Sequence, residues 1–294
     1  MKYFEGNWSK VVVFITWTIL LLPLSAINPP NKGSFPLNFW EVMRDRGVGI
    51  DYGDPGWKKK IHDWSITGNR NTQLEFHIPV LLGKYANATS YFNAVDFQNL
   101  LFDNNPDGSM KEYYAEISYG NFLVDGVAGG WYQSTYTMEQ AEQNTRGYVA
   151  EVVQLADPDY DFSQYDNDGP DNVPNSGDDD GFVDGIIVVY SGCGAEVNEG
   201  NNNIWPHQSS LNNDQYQTND PSANGGYVIV NTYAVCPELS GGGNCLTDQI
   251  RPIGVYAHEF GHVLGLPDLY DRDNSSAGIG SWCLMASGSH NGGL

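Results

Sequence analysis

Residues 257–268 read AHEFGHVLGLPD and place two histidines, His258 and His262, four positions apart, with Glu259 beside the first. In a helix, residues four apart share one face, so both imidazoles can hold a single metal ion. Glu259 is rotated by one position, which does not suit a ligand but allows it to accept a proton from a nearby water. The alternative is an ordinary amphipathic helix with two exposed histidines and a solvated glutamate.

The residues after the second histidine predict where the third metal ligand lies. Two histidines leave a zinc ion short of ligands, so another group is required. Gly265 can adopt the left-handed conformation that ends a helix, and Pro267 prevents the helix from continuing. The chain then turns back toward the metal, which favours Asp268 as the ligand and leaves Asp271 as the second choice.

A downstream segment, GIGSWCLM at residues 278–285, predicts a tight turn with Met285 after an apolar residue. A methionine-containing turn beneath the metal ligands accompanies the extended HExxH signature in zinc peptidases. A methionine in an ordinary core is the alternative when this segment is considered alone. The two segments together indicate a catalytic zinc site.

The composition limits the classes of function. The chain has 294 residues, 40% of them hydrophobic and 13% aromatic, and a formal net charge of −22. This apolar content supports a sizeable core and excludes disorder throughout the chain. The negative charge argues against nucleic-acid binding, because a polyanion would be repelled.

Carboxylates alternate around glycines in two stretches, DNDGPD at residues 166–171 and DDDGFVD at residues 178–184. Calcium takes about six to eight oxygen ligands, and alternation turns every second side chain inward. The bidentate glutamate of a complete EF-hand loop is missing, and a solvated acidic loop is the alternative. The stretches predict one or two structural Ca²⁺ ions, with ligands drawn from Asp166, Asp168, Asp178, Asp180 and Asp184.

The first residues predict a secretory signal peptide at 1–26. Lys2 and Lys10 precede an apolar run from Val11 to Leu22, which is too short for a comfortable membrane span. We expect cleavage near Ala26, a secreted product and no stable membrane association afterwards. An uncleaved anchor is the alternative.

The remainder divides into residues 27–75, rich in Pro, Gly and Asn and predicted to be a linker or pro-segment, and a domain at 76–294. Strands alternating with helices predict an α/β layered fold for this domain. We expect strands at residues 78–82, 122–127, 185–190 and 227–235, and helices at 95–101, 110–117, 138–156 and around the HEFGH segment.

Four cysteines allow three pairings, and export makes disulfides permissible. Cys236 and Cys245 bracket a glycine-rich loop, so we expect this bridge, which leaves Cys193 and Cys283. Two further histidines are expected to lie outside the catalytic centre. His207 is assigned a structural role, and His290 is assigned to a surface loop in preference to stabilising an oxyanion.

The segment HEFGHVLGLPDLYD, followed by GIGSWCLMASGS, resembles the M6 family of secreted bacterial metallopeptidases, the immune inhibitor A type. This family is similar to metzincins, with an aspartate where the third zinc histidine would stand. The resemblance implies a metzincin-like domain with a mixed sheet, and a zinc endopeptidase made as a precursor and acting on proteins or peptides. His258, His262 and Asp268 would then be the ligands and Glu259 the general base.

Relatives in this family continue beyond the methionine turn, so we expect a C-terminally truncated catalytic domain. Such a chain could bind zinc yet cleave poorly. The alternative from another class is a non-catalytic, calcium-stabilised surface or adhesion module that keeps the zinc helix only as structure. The sequence does not indicate an oligomeric state.

Overall fold

The computed structural model describes residues 55–67, 73–103, 105–197, 203–241, 245–271, 275–276 and 278–291, together with residues 39, 41 and 43. The predicted signal peptide at residues 1–26 lies outside the described residues, as does most of 27–54. None of the helices in the described ranges is long and apolar enough to cross a membrane.

A six-stranded mixed sheet forms the centre of the described part of the chain. Four strands run parallel in the order β2-β1-β3-β7, and two more pair antiparallel with β7. The sheet strands are β1 (Leu74–Lys84), β2 (Phe122–Gln133), β3 (Ile186–Cys193), β4 (His207–Ser210), β7 (Thr232–Gly241) and β8 (Cys245–Ile250). A separate hairpin joins β5 (Tyr216–Pro221) to β6 (Tyr227–Val230). The predicted α/β arrangement with a mixed sheet is therefore present.

Helices cover the sheet, and two apolar clusters form the core. The helices are α1 (Pro55–Thr67), α2 (Ala94–Leu101), α3 (Met110–Ile117), α4 (Met138–Gln143), α5 (Thr145–Ala156) and α6 (Ile253–Val263). Val80 and Leu82 belong to one cluster, whereas Leu81 between them belongs to the other. Because neighbouring side chains on a strand point to opposite faces, the two clusters lie on opposite sides of the sheet.

The helix predicted at residues 138–156 is in fact two helices. The side chain of Asn144 accepts a hydrogen bond from the backbone N–H of Gly147 at 3.2 Å, so it caps α5 at its N-terminus. Asparagine competes for local backbone groups in this way, which interrupts the helix despite the continuous apolar pattern.

The strand predicted at residues 227–235 is also divided, into β6 and β7. β6 pairs with β5 in the hairpin, whereas β7 pairs with β3 and β4 in the central sheet. Between them, the side-chain oxygen of Asn231 accepts the backbone N–H of Asn212 at 3.0 Å. A single apolar stretch of sequence therefore contributes one strand to each of two sheets.

The predicted Cys236–Cys245 disulfide is wrong, because Cys245 is bonded to Cys193. β8 folds back on β7 with Gly241 opposite Cys245, so Cys236 lies five residues further along β7, roughly 17 Å away. Cys236 is instead buried in the core, and Cys283 is partly buried; neither is in a disulfide.

Residues 55–67, predicted to belong to a linker or pro-segment without regular structure, form helix α1. Trp57 anchors it, with no exposed surface and its ring 4.6 Å from that of Phe76 on β1. Both residues belong to the same core cluster as Phe260 on α6. The described part of this region is therefore packed into the domain, and its removal as a pro-segment stays a prediction.

Candidate active site

Helix α6 carries the HEFGH segment, and every one of its residues is buried. It ends at Gly265, whose φ of 87° is the left-handed conformation expected from the sequence. The Gly265 N–H donates to the His262 carbonyl at 2.8 Å and the Leu266 N–H to the Gly261 carbonyl at 3.0 Å, which is a Schellman motif. The chain leaves this motif so that Asp268 comes back toward the two histidines.

Three potential ligand atoms converge at the side of α6. The Nε2 atoms of His258 and His262 are 3.1 Å apart, and each lies 3.2 Å from Oδ1 of Asp268. A tetrahedral ion with bonds of about 2.0–2.1 Å separates its ligands by about 3.3–3.4 Å. The spacing therefore fits a single metal ion.

Backbone carbonyls fix both imidazole rings. Nδ1 of His258 donates to the Leu284 carbonyl at 2.8 Å, and Nδ1 of His262 donates to the Leu266 carbonyl at 2.7 Å. Each neutral ring therefore presents a lone pair on Nε2, and these lone pairs face each other. Such a pair is repulsive unless a cation lies between them, so the arrangement suits a metal and not an ordinary helix surface.

Asp268 is the carboxylate that joins the histidines. The Tyr270 hydroxyl donates to its other oxygen at 3.1 Å. Asp271, the second choice, instead accepts hydrogen bonds from the Ser275 hydroxyl at 3.3 Å and from the Ser276 N–H.

The predicted general base, Glu259, is completely buried on α6 beside His258. One position along a helix corresponds to a rotation of about 100°, which places its carboxylate to one side of the histidine face. A buried carboxylate at the edge of a metal centre can take up a proton from a water in that centre.

The methionine turn lies beneath α6. A Cβ atom built on Gly261 would come within 2.6 Å of Sδ of Met285, so glycine permits this close approach. The Leu269 N–H donates to the Met285 carbonyl at 2.7 Å, which ties the turn to the segment carrying Asp268. Sequence reasoning missed a further support, the Tyr114 hydroxyl on α3, which donates to the Ala257 carbonyl at 2.7 Å.

The acidic loop, residues 166–184, gathers three of the five predicted calcium ligands. Oxygen atoms of Asp166, Asp168 and Asp184 all lie within 4.8 Å of one another. Asp178 and Asp180 are exposed and accept hydrogen bonds from the loop itself. Asp179, which was not predicted, is buried and accepts the N–H groups of residues 169 and 176 at 2.7 and 2.6 Å.

The buried carboxylates of this loop repel one another unless a counter-ion lies among them. Burial and the neighbouring carboxylates of Asp179 and Asp180 raise the pKa of Asp166 to about 8. Burial and Asp180 likewise raise the pKa of Asp168 to about 6. The loop therefore has the charge and the oxygen atoms that a cation would stabilise.

Two other histidines, His207 and His290, are not part of the cluster formed by His258, His262 and Asp268. His207 is buried, its Nδ1 donates to the Trp205 carbonyl at 2.7 Å, and burial lowers its pKa to about 4. Its burial and this hydrogen bond agree with the predicted structural role. Nδ1 of His290 lies 3.4 Å from the guanidinium of Arg251, which is also 3.2 Å from the buried Glu196.

A mixed α/β domain in which two histidines and a neighbouring glutamate lie on one helix, with an aspartate from the following segment beside the histidines, has the features of a metallopeptidase domain. The chain belongs to the family described as immune inhibitor A peptidase M6, catalytic domain, which matches residues 82–294. Membership in a metallopeptidase family implies a catalytic metal.

Two known proteins are similar to this chain. Immune inhibitor A of Bacillus thuringiensis subsp. alesti is 28% identical over 235 residues, which cover 67% of this chain and 32% of that protein. Pre-pro-metalloprotease PrtV of Vibrio cholerae serotype O1 is 30% identical over 225 residues, covering 66% of this chain and 23% of PrtV. The matched part spans about a third or less of these relatives.

Proposed function

We propose that the protein is a secreted, zinc-dependent endopeptidase with a metzincin-like catalytic domain, made as a precursor. The convergence of His258, His262 and Asp268 within 3.1–3.2 Å of one another carries this proposal. The family and the donor set, two imidazoles and one carboxylate, support zinc as the metal. The predicted signal peptide supports secretion.

In the proposed reaction the chain's own residues orient the centre and move one proton. The carbonyls of Leu284 and Leu266 keep both imidazoles in the Nδ1–H form that can bind metal. A bound zinc ion would act as a Lewis acid and lower the pKa of a water molecule to about 7. Glu259 takes a proton from the water that attacks the scissile carbonyl and passes it to the departing amine.

We also propose a structural calcium ion in the acidic loop, held by Asp166, Asp168 and Asp184. The buried carboxylates and the raised pKa values of Asp166 and Asp168 support it, since a divalent cation would neutralise them. Ca²⁺ should raise the melting temperature of the chelator-treated protein. An unchanged melting temperature would remove the calcium assignment.

The peptidase proposal is tested by comparing wild type with Glu259→Ala and Glu139→Ala, the latter an exposed glutamate on α4. All three should bind zinc equally in elemental analysis. Wild type and Glu139→Ala should cleave a quenched fluorescent peptide, whereas Glu259→Ala should be at least about 100-fold slower. Zinc-loaded wild type that cleaves nothing, before or after limited proteolysis, would favour the non-catalytic module.

A further inference from the structure

Helix α1 lies against the acidic loop at two points. A Cβ atom on Gly56, in the first turn of α1, would come within 1.6 Å of the Asp168 carboxylate, so the two are in close contact. One turn later, Nζ of Lys60 donates to the backbone carbonyl of Asn167 at 2.7 Å. Asn167 stands between Asp166 and Asp168 in the loop.

Lys60 is a buried positive charge beside a group of negative ones. Its side chain crosses the ring of Trp57, with Nζ 4.8 Å from the ring centre, and the residue is only 9% exposed. Burial lowers the pKa of the Lys60 ammonium, and the carboxylates of Asp184 and Asp179 oppose that change. A lysine held this far from solvent acts as a fixed counter-ion.

Independent features of the loop point to a cation. Asp166 is 1% exposed, and its Oδ1 has no hydrogen-bond partner among the residues that the structure describes. Oδ1 of the buried Asn167 is also without a partner. Carboxylate and amide oxygens are the ligands that calcium prefers, and a buried oxygen without a donor is costly. Lys60 therefore does not satisfy all of the oxygen atoms gathered here.

Helix α1 also contacts the active-site helix. A Cβ on Gly265, which ends α6, would lie 2.7 Å from Cε of Lys58. The ring of Phe76 packs 4.6 Å from Trp57 on one side and 5.0 Å from Phe260 of α6 on the other. One short helix thus rests on both the acidic loop and the element that carries the metal-binding histidines.

We propose that Lys60 is an internal counter-ion that competes with a divalent cation for the acidic loop, so that cation binding loosens helix α1. Both positive charges are attracted by the same carboxylates and repel each other. Coupling of this kind is reciprocal: if seated Lys60 weakens cation binding, a bound cation weakens the seating of Lys60 by the same factor. The proposal rests on the calcium site suggested above, but not on peptidase activity.

The first test measures Ca²⁺ binding by calorimetry to the full chain carrying Glu259→Ala, stripped of calcium and supplied with zinc. Adding Lys60→Met should tighten Ca²⁺ binding at least about fivefold, whereas Lys60→Arg, which keeps the charge, should not. Lys59→Met is the matched control, because Lys59 is exposed and pairs with Asp63 at 2.8 Å. Equal or weaker binding by Lys60→Met overturns the proposal, as does the absence of Ca²⁺ binding in every variant.

A second measurement needs no substitution at Lys60 and applies even if Lys60→Met fails to fold. Amide hydrogen exchange across residues 55–67 should become faster when Ca²⁺ is added, while exchange in α5 stays unchanged. Slower exchange or no change in α1, under conditions where calorimetry shows the site filled, contradicts competition. Because the protein carries Glu259→Ala, these outcomes are separate from any failure to cleave peptides.

Discussion

His258 and His262 are held in orientation by the backbone, because each Nδ1 hydrogen is donated to a backbone carbonyl. Two Nε2 lone pairs and one carboxylate are therefore oriented toward the position of the proposed zinc ion. Pre-orientation of this kind reduces the ordering cost of binding. Metal affinity should accordingly depend on the third ligand.

Replacing Asp268 by Asn should lower zinc affinity by at least about tenfold, since the amide keeps the shape but removes the negative charge. Asp271→Asn is the matched control, because Asp271 accepts hydrogen bonds from the loop of Ser275 and Ser276. Competition with a chromogenic chelator measures both affinities. Loss of zinc in Asp271→Asn with retention in Asp268→Asn would reverse the assignment.

His207 should contribute to the pH dependence of stability. Its pKa is lowered from 6.5 to about 4, so the unfolded chain binds more protons between these pH values and stability falls as the pH drops through them. His207→Asn should lose less stability than wild type between pH 6.5 and 4, by at most about 3 kcal/mol. Urea unfolding at both pH values measures this, and parallel losses in the two proteins would contradict it.

At the scale of single elements, short sequence patterns predicted where a helix begins, whereas features that depend on distant residues were not predicted. The helix predicted at residues 110–117 is present as α3, and it begins with a capping box in which the Glu112 N–H donates to Ser109 Oγ at 3.2 Å. Such a signal lies within four residues. The division at Asn231 depends on which strands pair with each half, and that is decided by residues far away in the chain.

Two glycines of α6 should respond differently to alanine. A Cβ on Gly254 would lie 2.2 Å from the backbone oxygen of Ser289, whereas one on Gly261 meets the flexible end of Met285. We expect Gly254→Ala to lower the free energy of unfolding by about 2 kcal/mol and Gly261→Ala by less than about 1 kcal/mol. Chemical denaturation measures both, and the opposite order would show that the Met285 side chain cannot move.

At the scale of the whole molecule, the sequence predicted the cluster of His258, His262 and Asp268 more fully than its surroundings. The HExxH spacing, the glycine and the aspartate lie within one short segment, so helical spacing and the turn at Gly265 were enough to predict that they converge. Tyr114 supports the same helix from a position 143 residues away from Ala257, and no local pattern marks it. The Cys193–Cys245 bond likewise depends on the register of β8 against β7.

That disulfide closes a separation of 52 residues and should stabilise the folded protein. The double variant Cys193→Ser/Cys245→Ser should have a free energy of unfolding about 2–4 kcal/mol lower than that of wild type, mainly because its unfolded chain is less constrained. Cys283→Ser, which breaks no bond, is the control. If the double variant matches wild type in denaturant, the bridge does not form in solution.

The family match starts at residue 82, near the end of β1, although β1 begins at Leu74 and pairs with β2 along its whole length. A gene trimmed for expression at that boundary would delete most of a strand lying between β2 and β3, and the indole of Trp57 with it. Such a product should collect in inclusion bodies. Cloning from a codon ahead of Pro55 would keep both.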